Sequence, residues 1–241
     1  GEPVHQYIAR IRLEYAANLL MFSPGSSVLE VANNAGFASV SSFSRAFKAR
    51  FCLAPGQWRK QDHTASVPPY LDNPDIAAAY QRLQATELPQ ANMVTLPARH
   101  VAYIRHQGYG RDIKLPWQVL LAWAQAQGRP VTEQFGLHHS NPSQVPLAQC
   151  RYVACLGIDQ PIVQRSIVNS LTIPAGLHAV FALSGHYGDL LPYISKIMVQ
   201  WLPNSGFKLA STPAYVRYRK NQFLTTDEAF EVDFCLPIRW Y

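Results

Sequence analysis

The chain of 241 residues carries 21 Lys and Arg against 15 Asp and Glu, for a formal net charge of +6, and 48% of its side chains are hydrophobic. That composition excludes a disordered chain, and the length suits one large domain or two modest ones. No apolar run approaches the ~18–20 residues of a membrane span, and no signal-peptide pattern opens the chain, so a cytoplasmic protein with no membrane partner is expected.

In chain order, the first predicted element is a helix of about five turns, with Pro3 at its start and Ile8, Ile11, Tyr15, Leu19 and Phe22 as its apolar stripe. The run Ser23–Ser27, "SPGSS", breaks it. Ser27 is placed to cap a second helix, Val28 to Ala35, with Leu29, Val31, Ala32 and Ala35 facing inward. Gly36 then supplies a left-handed C-cap, and Ser39 caps a third helix, roughly Val40 to Arg50. Helix, glycine-bearing turn, helix is the helix-turn-helix pattern.

At 100° per residue, Ser41, Arg45 and Lys48 fall within about 60° of one another, with Phe43 and Phe47 almost opposite. This is an anchored helix with groove-reading donors outward: Arg can pair with guanine, and Ser41 and Ser42 can donate to a base or phosphate. Arg50 and Arg59, at its flanks, suit phosphate positioning. Residues 1–62 hold seven Lys and Arg against four Asp and Glu, about three times the net charge density of the remainder. Spacing alone fits a solvated basic face equally well.

The residues "YIARIRLEYAANLL", "VLEVANNAGFASVSSFSRAFKARF" and "APGQWR" resemble the second half of an AraC-family DNA-binding domain over residues 1 to about 60. The resemblance implies operator DNA and RNA polymerase as partners. That family's domain holds two helix-turn-helix units joined by a long helix, and this sequence starts at the joining helix. Weak DNA binding with a shallow salt dependence is therefore expected of it.

"DHTASVPPYLDNP" (Asp62–Pro74) reads as a linker, followed by a short helix from Asp75 to Ala85. Beyond Met93 the chain repeats itself. "LPARHVAYIRHQGYG" (Leu96–Gly110) is echoed by "IPAGLHAVFALSGHYG" (Ile173–Gly188), "LPW" by "LPY", Trp123 by Trp201, and "YVACLGI" by "VDFCLPI", with offsets from about 77 to 80 residues. A duplicated strand-helix-strand-strand unit is the economical reading. The expected fold class is thus multi-domain, α and α+β. A helix-turn-helix domain (1–61) is followed by a linker and lead-in helix (62–90) and a duplicated α+β domain (91–241) with a cleft between its halves.

The duplicated region, through "LPARHVAYIRHQGYG", the tryptophan-bearing helix, "PAYVRY" (Pro213–Tyr218) and "VDFCLPI", resembles the GyrI-like effector-binding domain. The resemblance implies an aromatic-lined cleft for a hydrophobic or aromatic small-molecule effector, with Tyr103, His106, Trp117, Phe181, Tyr187, Val216, Tyr218 and Phe234 as its candidate residues. The same residues also suit an ordinary aromatic core. The family often places a glutamate after the aromatic of Pro-x-aromatic. Val216 stands there in this sequence, which disfavours a cationic ligand, although Glu231 or Asp233 could compensate.

Catalysis is not expected. There is no G-x-S-x-G, P-loop or G-x-G-x-x-G in the right context. His138 and His139 read as surface histidines in a loop. Asp227, Glu228, Glu231 and Asp233 read as a solvated strand edge more readily than a paired-carboxylate site. Cys52, Cys150, Cys155 and Cys235 form no C-x-x-C pair and read as buried small hydrophobes, so neither metal nor cofactor is expected. The alternative functions are a GyrI-like protein-docking module or a small-molecule hydrolase fused to the DNA-binding domain.

Overall fold

The computed structural model describes residues 4–23, 25–61, 69–162 and 167–240. Pro3, Pro24 and residues 62–68 of the expected linker lie outside the described residues. The chain divides into two compact units. One comprises residues 1–67, 198–211 and 240–241, and the other residues 68–197 and 212–239.

The first unit holds α1 (Val4–Phe22), α2 (Val28–Asn34), α3 (Val40–Phe51) and α4 (Pro55–Lys60). Both expected serine caps are present. Ser27 accepts from the Glu30 N–H at 3.1 Å while the Glu30 carboxylate accepts from the Ser27 N–H at 2.6 Å, a complete capping box. Ser39 accepts from the Ser42 N–H at 3.2 Å. Gly36, at φ +75°, makes the left-handed turn between α2 and α3. Phe43 and Phe47 are fully buried, and Phe47 meets Trp58 of α4 edge-on at 5.8 Å.

Two inward assignments need correcting. Ile8 and Leu29 are exposed. The buried face of α1 runs instead through Leu13, Ala16, Ala17, Leu19 and Leu20. The alanines let neighbouring backbones come close, which a count of large apolar side chains misses.

The second unit opens with α5 (Pro74–Leu83), capped by Asn73, whose side-chain oxygen accepts from the Asp75 and Ile76 N–H groups. Lys196 closes its other end, donating to the carbonyls of Leu83, Gln84 and Thr86. The remaining elements are β1 (Asn92–Leu96), β2 (Arg99–Gln107), α6 (Lys114–Ala126), β3 (Gln134–His138), β4 (Arg151–Gly157), β5 (Asn169–Ile173), β6 (Gly176–His186), α7 (Leu190–Lys196), β8 (Ala214–Lys220) and β9 (Ala229–Trp240). Strand β7 (Phe207–Leu209) falls in the first unit. The sheet order is β1-β6-β9-β8-β3-β4-β2-β5, antiparallel at each described pairing.

The strand registers show the duplication directly. Arg99 pairs with Ile173 and Gly176 pairs with Leu96; a shift of 77 residues turns Arg99 into Gly176 and Leu96 into Ile173. For the inner strands the shift is 80. Phe135 pairs with Cys155, and their counterparts Tyr215 and Cys235 pair likewise. The pseudo-two-fold axis therefore passes between β3 and β8, where Gly136 pairs with its own counterpart, Val216. Each half is strand, helix, strand, strand, as the repeat predicts. A leading strand is added in each half and pairs with the other half: β1 with β6 and β5 with β2.

Candidate functional site

On α3, Ser41, Arg45 and Lys48 are all exposed, on the side opposite the buried Phe43 and Phe47. The two serines also serve the helix start. The Ser42 hydroxyl donates to the Ser39 carbonyl at 2.9 Å, and the Ser41 and Ser39 hydroxyls lie 3.1 Å apart. Arg50 approaches the buried Glu14 carboxylate at 3.5 Å and lies over the Phe51 ring at 5.3 Å. Arg59 has Nε and Nη2 buried with no hydrogen-bond partner. The face thus offers two unencumbered cations, Arg45 and Lys48, with Arg50 and Arg59 set deeper at its flanks.

The second unit presents most of its candidate residues on one face of the sheet. Side chains alternate along each strand and register partners share a face. One row across the sheet therefore reads Ile104, Ala154, Gly136, Val216, Phe234, Phe181. Helix α6 covers this face. Its Trp117 indole N–H donates to the Tyr152 hydroxyl at 3.2 Å, and its ring meets Tyr218 edge-on at 5.6 Å. Tyr152 and Tyr218 share a hydroxyl–hydroxyl bond of 3.0 Å. Burial pushes both phenol pKa values up, so both rings stay neutral. Gly136 is required here, because a Cβ would sit 2.9 Å from two ring carbons of Tyr152.

His138 ends β3 on the same face, its ring edge-on to Tyr109 at 5.2 Å and Tyr152 at 5.5 Å. Both ring nitrogens are buried without a hydrogen-bond partner, and desolvation lowers the pKa to about 4. This corrects the expectation of a surface histidine in a loop: His138 is the last residue of β3.

The carboxylates lie elsewhere. Asp233 pairs in register with Arg217, hence on the opposite face from Val216 and Phe234. It accepts from Arg217 at 2.7 Å and Arg219 at 2.8 Å. Glu231 alternates to that same opposite face, so neither residue replaces the missing glutamate. Asp227 is bound to Lys220 at 2.6 Å and has its pKa lowered to about 2. Glu228 takes a two-pronged contact from Arg111, at 2.6 and 2.8 Å. The acidic run is thus largely a set of ion pairs with neighbouring cations. Arg111 also reaches Asp75 at 2.7 Å, and its guanidinium lies 4.0 Å from the Tyr187 ring centre.

Of the eight cleft candidates, Trp117, Phe181, Val216, Tyr218 and Phe234 share the helix-covered face. His106 is on it, on β2, pairing with Tyr152 in register and reaching Asp112 at 3.1 Å. Tyr187 lies just past β6, its ring 6.4 Å from Phe223. Tyr103 is on the reverse face, among Val101, Phe135 and Cys155. Sequence reasoning missed Tyr152, His138 and Gly136. The 80-residue offset that carries Val216 back to Gly136 was the available signal. Cys150, Cys155 and Cys235 are buried as expected, whereas Cys52 is exposed. Among the described residues, no group of three or more His, Cys, Asp and Glu could hold a metal ion, and no helix is long and apolar enough to cross a membrane.

A cavity of about 310 Å³ opens beside Tyr218. Its neutral polar lining is Thr132, Gln134, Tyr218, Asn221 and Thr225; Arg219 and Lys220 add charge at its edge.

Known protein families match both parts of the chain. The family described as "GyrI-like small molecule binding domain" matches residues 72–239, and a helix-turn-helix domain family matches residues 1–61. The HTH-type transcriptional regulator MtrA of Neisseria gonorrhoeae is 46% identical over 61 residues, 25% of this chain and 20% of that protein. The chain therefore spans about a fifth of that relative. The probable transcriptional regulator YgiV of Escherichia coli (strain K12) is 24% identical over 151 residues, 61% of this chain and 94% of that protein. Among solved structures, the crystal structure of the EcmrR C-terminal domain superposes with a TM-score of 0.55 at 18% identity. That match covers 64% of this chain and all of the other, a likeness of fold.

Proposed function

We propose that this chain, which belongs to the family of GyrI-like small-molecule-binding domains, works as a ligand-responsive transcription regulator. Helix α3 enters the DNA major groove, and an effector seats on the helix-covered face of the duplicated sheet. The observation that carries the reading is the exposed Ser41, Arg45 and Lys48 face of α3, anchored by the buried Phe43 and Phe47, on the same chain as a small-molecule-binding fold. The names of MtrA and YgiV as transcriptional regulators, each matching a different unit, support it.

In this reading Arg45 and Lys48 contact bases or phosphates, Ser41 and Ser42 hold the helix start and donate to the backbone, and Arg50 and Arg59 position phosphates. Trp117, Phe181, Tyr187, Val216, Tyr218 and Phe234 form or border the effector site. Acting on operator DNA and RNA polymerase sets the protein in the cytoplasm, and no catalytic step is invoked. Coupling requires different effector affinity in two conformations. The chain connectivity offers a route: it leaves α7, beside β6, and passes directly into residues 198–211, which belong to the helical unit.

Selection from a random duplex library with this chain tests the DNA role. An enriched motif, bound weakly and with an affinity that falls only shallowly as salt rises, is expected. Binding equal across sequences would sink the specific reading. Motif affinity measured with and without a compound that raises the melting temperature then tests the coupling; an unchanged affinity removes it.

A further inference from the structure

Helix α6 has an outer face unlike that of an ordinary surface helix. From Leu115 to Gly128 the chain carries no charged residue. Trp117, Leu120 and Ala124 are buried, and α6 packs against β2 and β4. On the opposite side, Leu115, Val119, Ala122 and Ala126 fall within about 60° of one another. All four are exposed, Leu115 at 60% and Val119 at 42%. A helix face turned to water normally carries charged or polar side chains. This one is an apolar stripe, with the exposed Gln118 and Gln125 along one flank.

The duplication shows what the same face does in the other half. The matching steps "LPW" and "LPY" make Leu191 the equivalent of Leu115, and Ser195 of α7 the equivalent of Val119. Leu191 and Ser195 are half-buried, and α5 packs against α7. The buried Tyr70, just ahead of α5, donates its hydroxyl to Ser195 at 3.0 Å. A helix thus lies over α7, whereas no described element shields the stripe on α6.

We propose that this stripe is covered by α6 of a second copy of the chain, the two helices running antiparallel about a two-fold axis. In that direction the stripe is complementary to itself. Leu115 meets Ala126 of the partner subunit and Val119 meets Ala122 of the partner subunit, large against small at each step. The glutamine flank meets its own copy, amide to amide. The same register brings the Asp112 end of one copy to the Arg129 end of the other, and both side chains are exposed. Lys114 points about 110° away from the centre of the stripe and stays outside the contact. Helix α6 is about 20 Å long, so the pair covers less than the ~800 Å² per partner of a standard interface. The dimer is therefore a weak one. It carries two copies of α3, which suits DNA with two half-sites.

Sedimentation equilibrium of the whole chain, without DNA or ligand, tests the proposal. A monomer–dimer equilibrium with a dissociation constant of about 10 μM is expected. Residue 119 of each copy lies close to the two-fold axis, about 4.5 Å from its mate along the helix direction. Val119→Glu and Val119→Lys each put like charges there and should weaken association at least about tenfold. Mixed in equal amounts, the two variants should recover it by pairing with each other, which no folding defect can do. Val119 is exposed, so the melting temperature of dilute variant should stay within about 1 °C of the unaltered chain. Ile167→Glu, at a position 70% exposed just before β5, should leave association unchanged. A chain that stays monomeric to about 200 μM overturns the proposal and leaves the face to another protein's helix. A dimer that the Val119 variants leave intact uses another surface and overturns it too. So does a loss that mixing fails to restore.

Discussion

Gly136 and Val216 face each other across β3 and β8 at the centre of the sheet, two residues in equivalent places with unequal side chains. The glycine makes room for the Tyr152 ring; the valine is itself fully buried. The fold is nearly symmetric about this pair, but the chemistry above it is not. Over the first half sits Tyr152, whose second-half counterpart at the 80-residue offset is Val232.

Gly136→Ala should therefore be severe for a one-carbon change. The added methyl meets the Tyr152 ring, and overpacking of a dense core costs about 1–3 kcal/mol. Urea denaturation checks this. Combining it with Tyr152→Leu, which removes the obstructing ring, should give a loss smaller than the sum of the two single losses.

Val216→Glu places a carboxylate where no cation is near. Its pKa would rise, so the folded state would bind a proton that the unfolded state releases above about pH 4.3. Stability should fall as pH rises through that value, by about 3 kcal/mol or more at neutral pH, and recover towards pH 4.5. Melting curves from pH 4.5 to 8, read as the difference from the unaltered chain, distinguish this from a simple packing defect, whose difference would be flat with pH.

His138 gives the native chain its own acid sensitivity. Its folded pKa, about 4, lies below the ordinary value of 6.5, so the unfolded chain binds more protons between these limits. The contribution is complete above pH 6.5 and is lost as pH falls towards 4, on the order of 3 kcal/mol in total. His138→Phe should flatten that part of the stability profile. An unchanged slope in the variant would show that other groups carry it.

On α3 the two faces should separate cleanly. Arg45→Ala is exposed and should leave the melting temperature within about 1 °C, while weakening binding to the selected DNA motif by about tenfold. Phe43→Ala should cost about 3–5 kcal/mol and lose DNA binding only through unfolding. Circular dichroism beside a mobility-shift titration reads both.

Local chemistry made much of this legible in the sequence. Ser27 and Ser39 cap where the residue types say they should, and Phe43 and Phe47 point inward from helical spacing alone. The offsets of 77 and 80 residues fixed the duplicated architecture before any strand was paired. What stayed hidden depends on which side of a strand a residue takes. Tyr103 and Phe181 look alike in the sequence, yet they lie on opposite faces, because one residue of register inverts a strand. Tyr152 gave no sign of lying over Gly136, a relation made by neighbouring strands. Ile8 and Leu29 obey helical periodicity but have nothing to cover them.

The exchange of leading strands has a consequence for how the chain is made. Strand β1 is complete at Leu96, yet the partner it pairs with does not begin until Gly176. Synthesised from the N-terminus, the first half emerges with β1 waiting for a partner and β3 presenting a bare edge. Neither half can finish its sheet alone. Folding is therefore expected to be slow, dominated by distant contacts and most vulnerable to aggregation before the second copy arrives. Two copies that began as a repeat have become a single obligate unit.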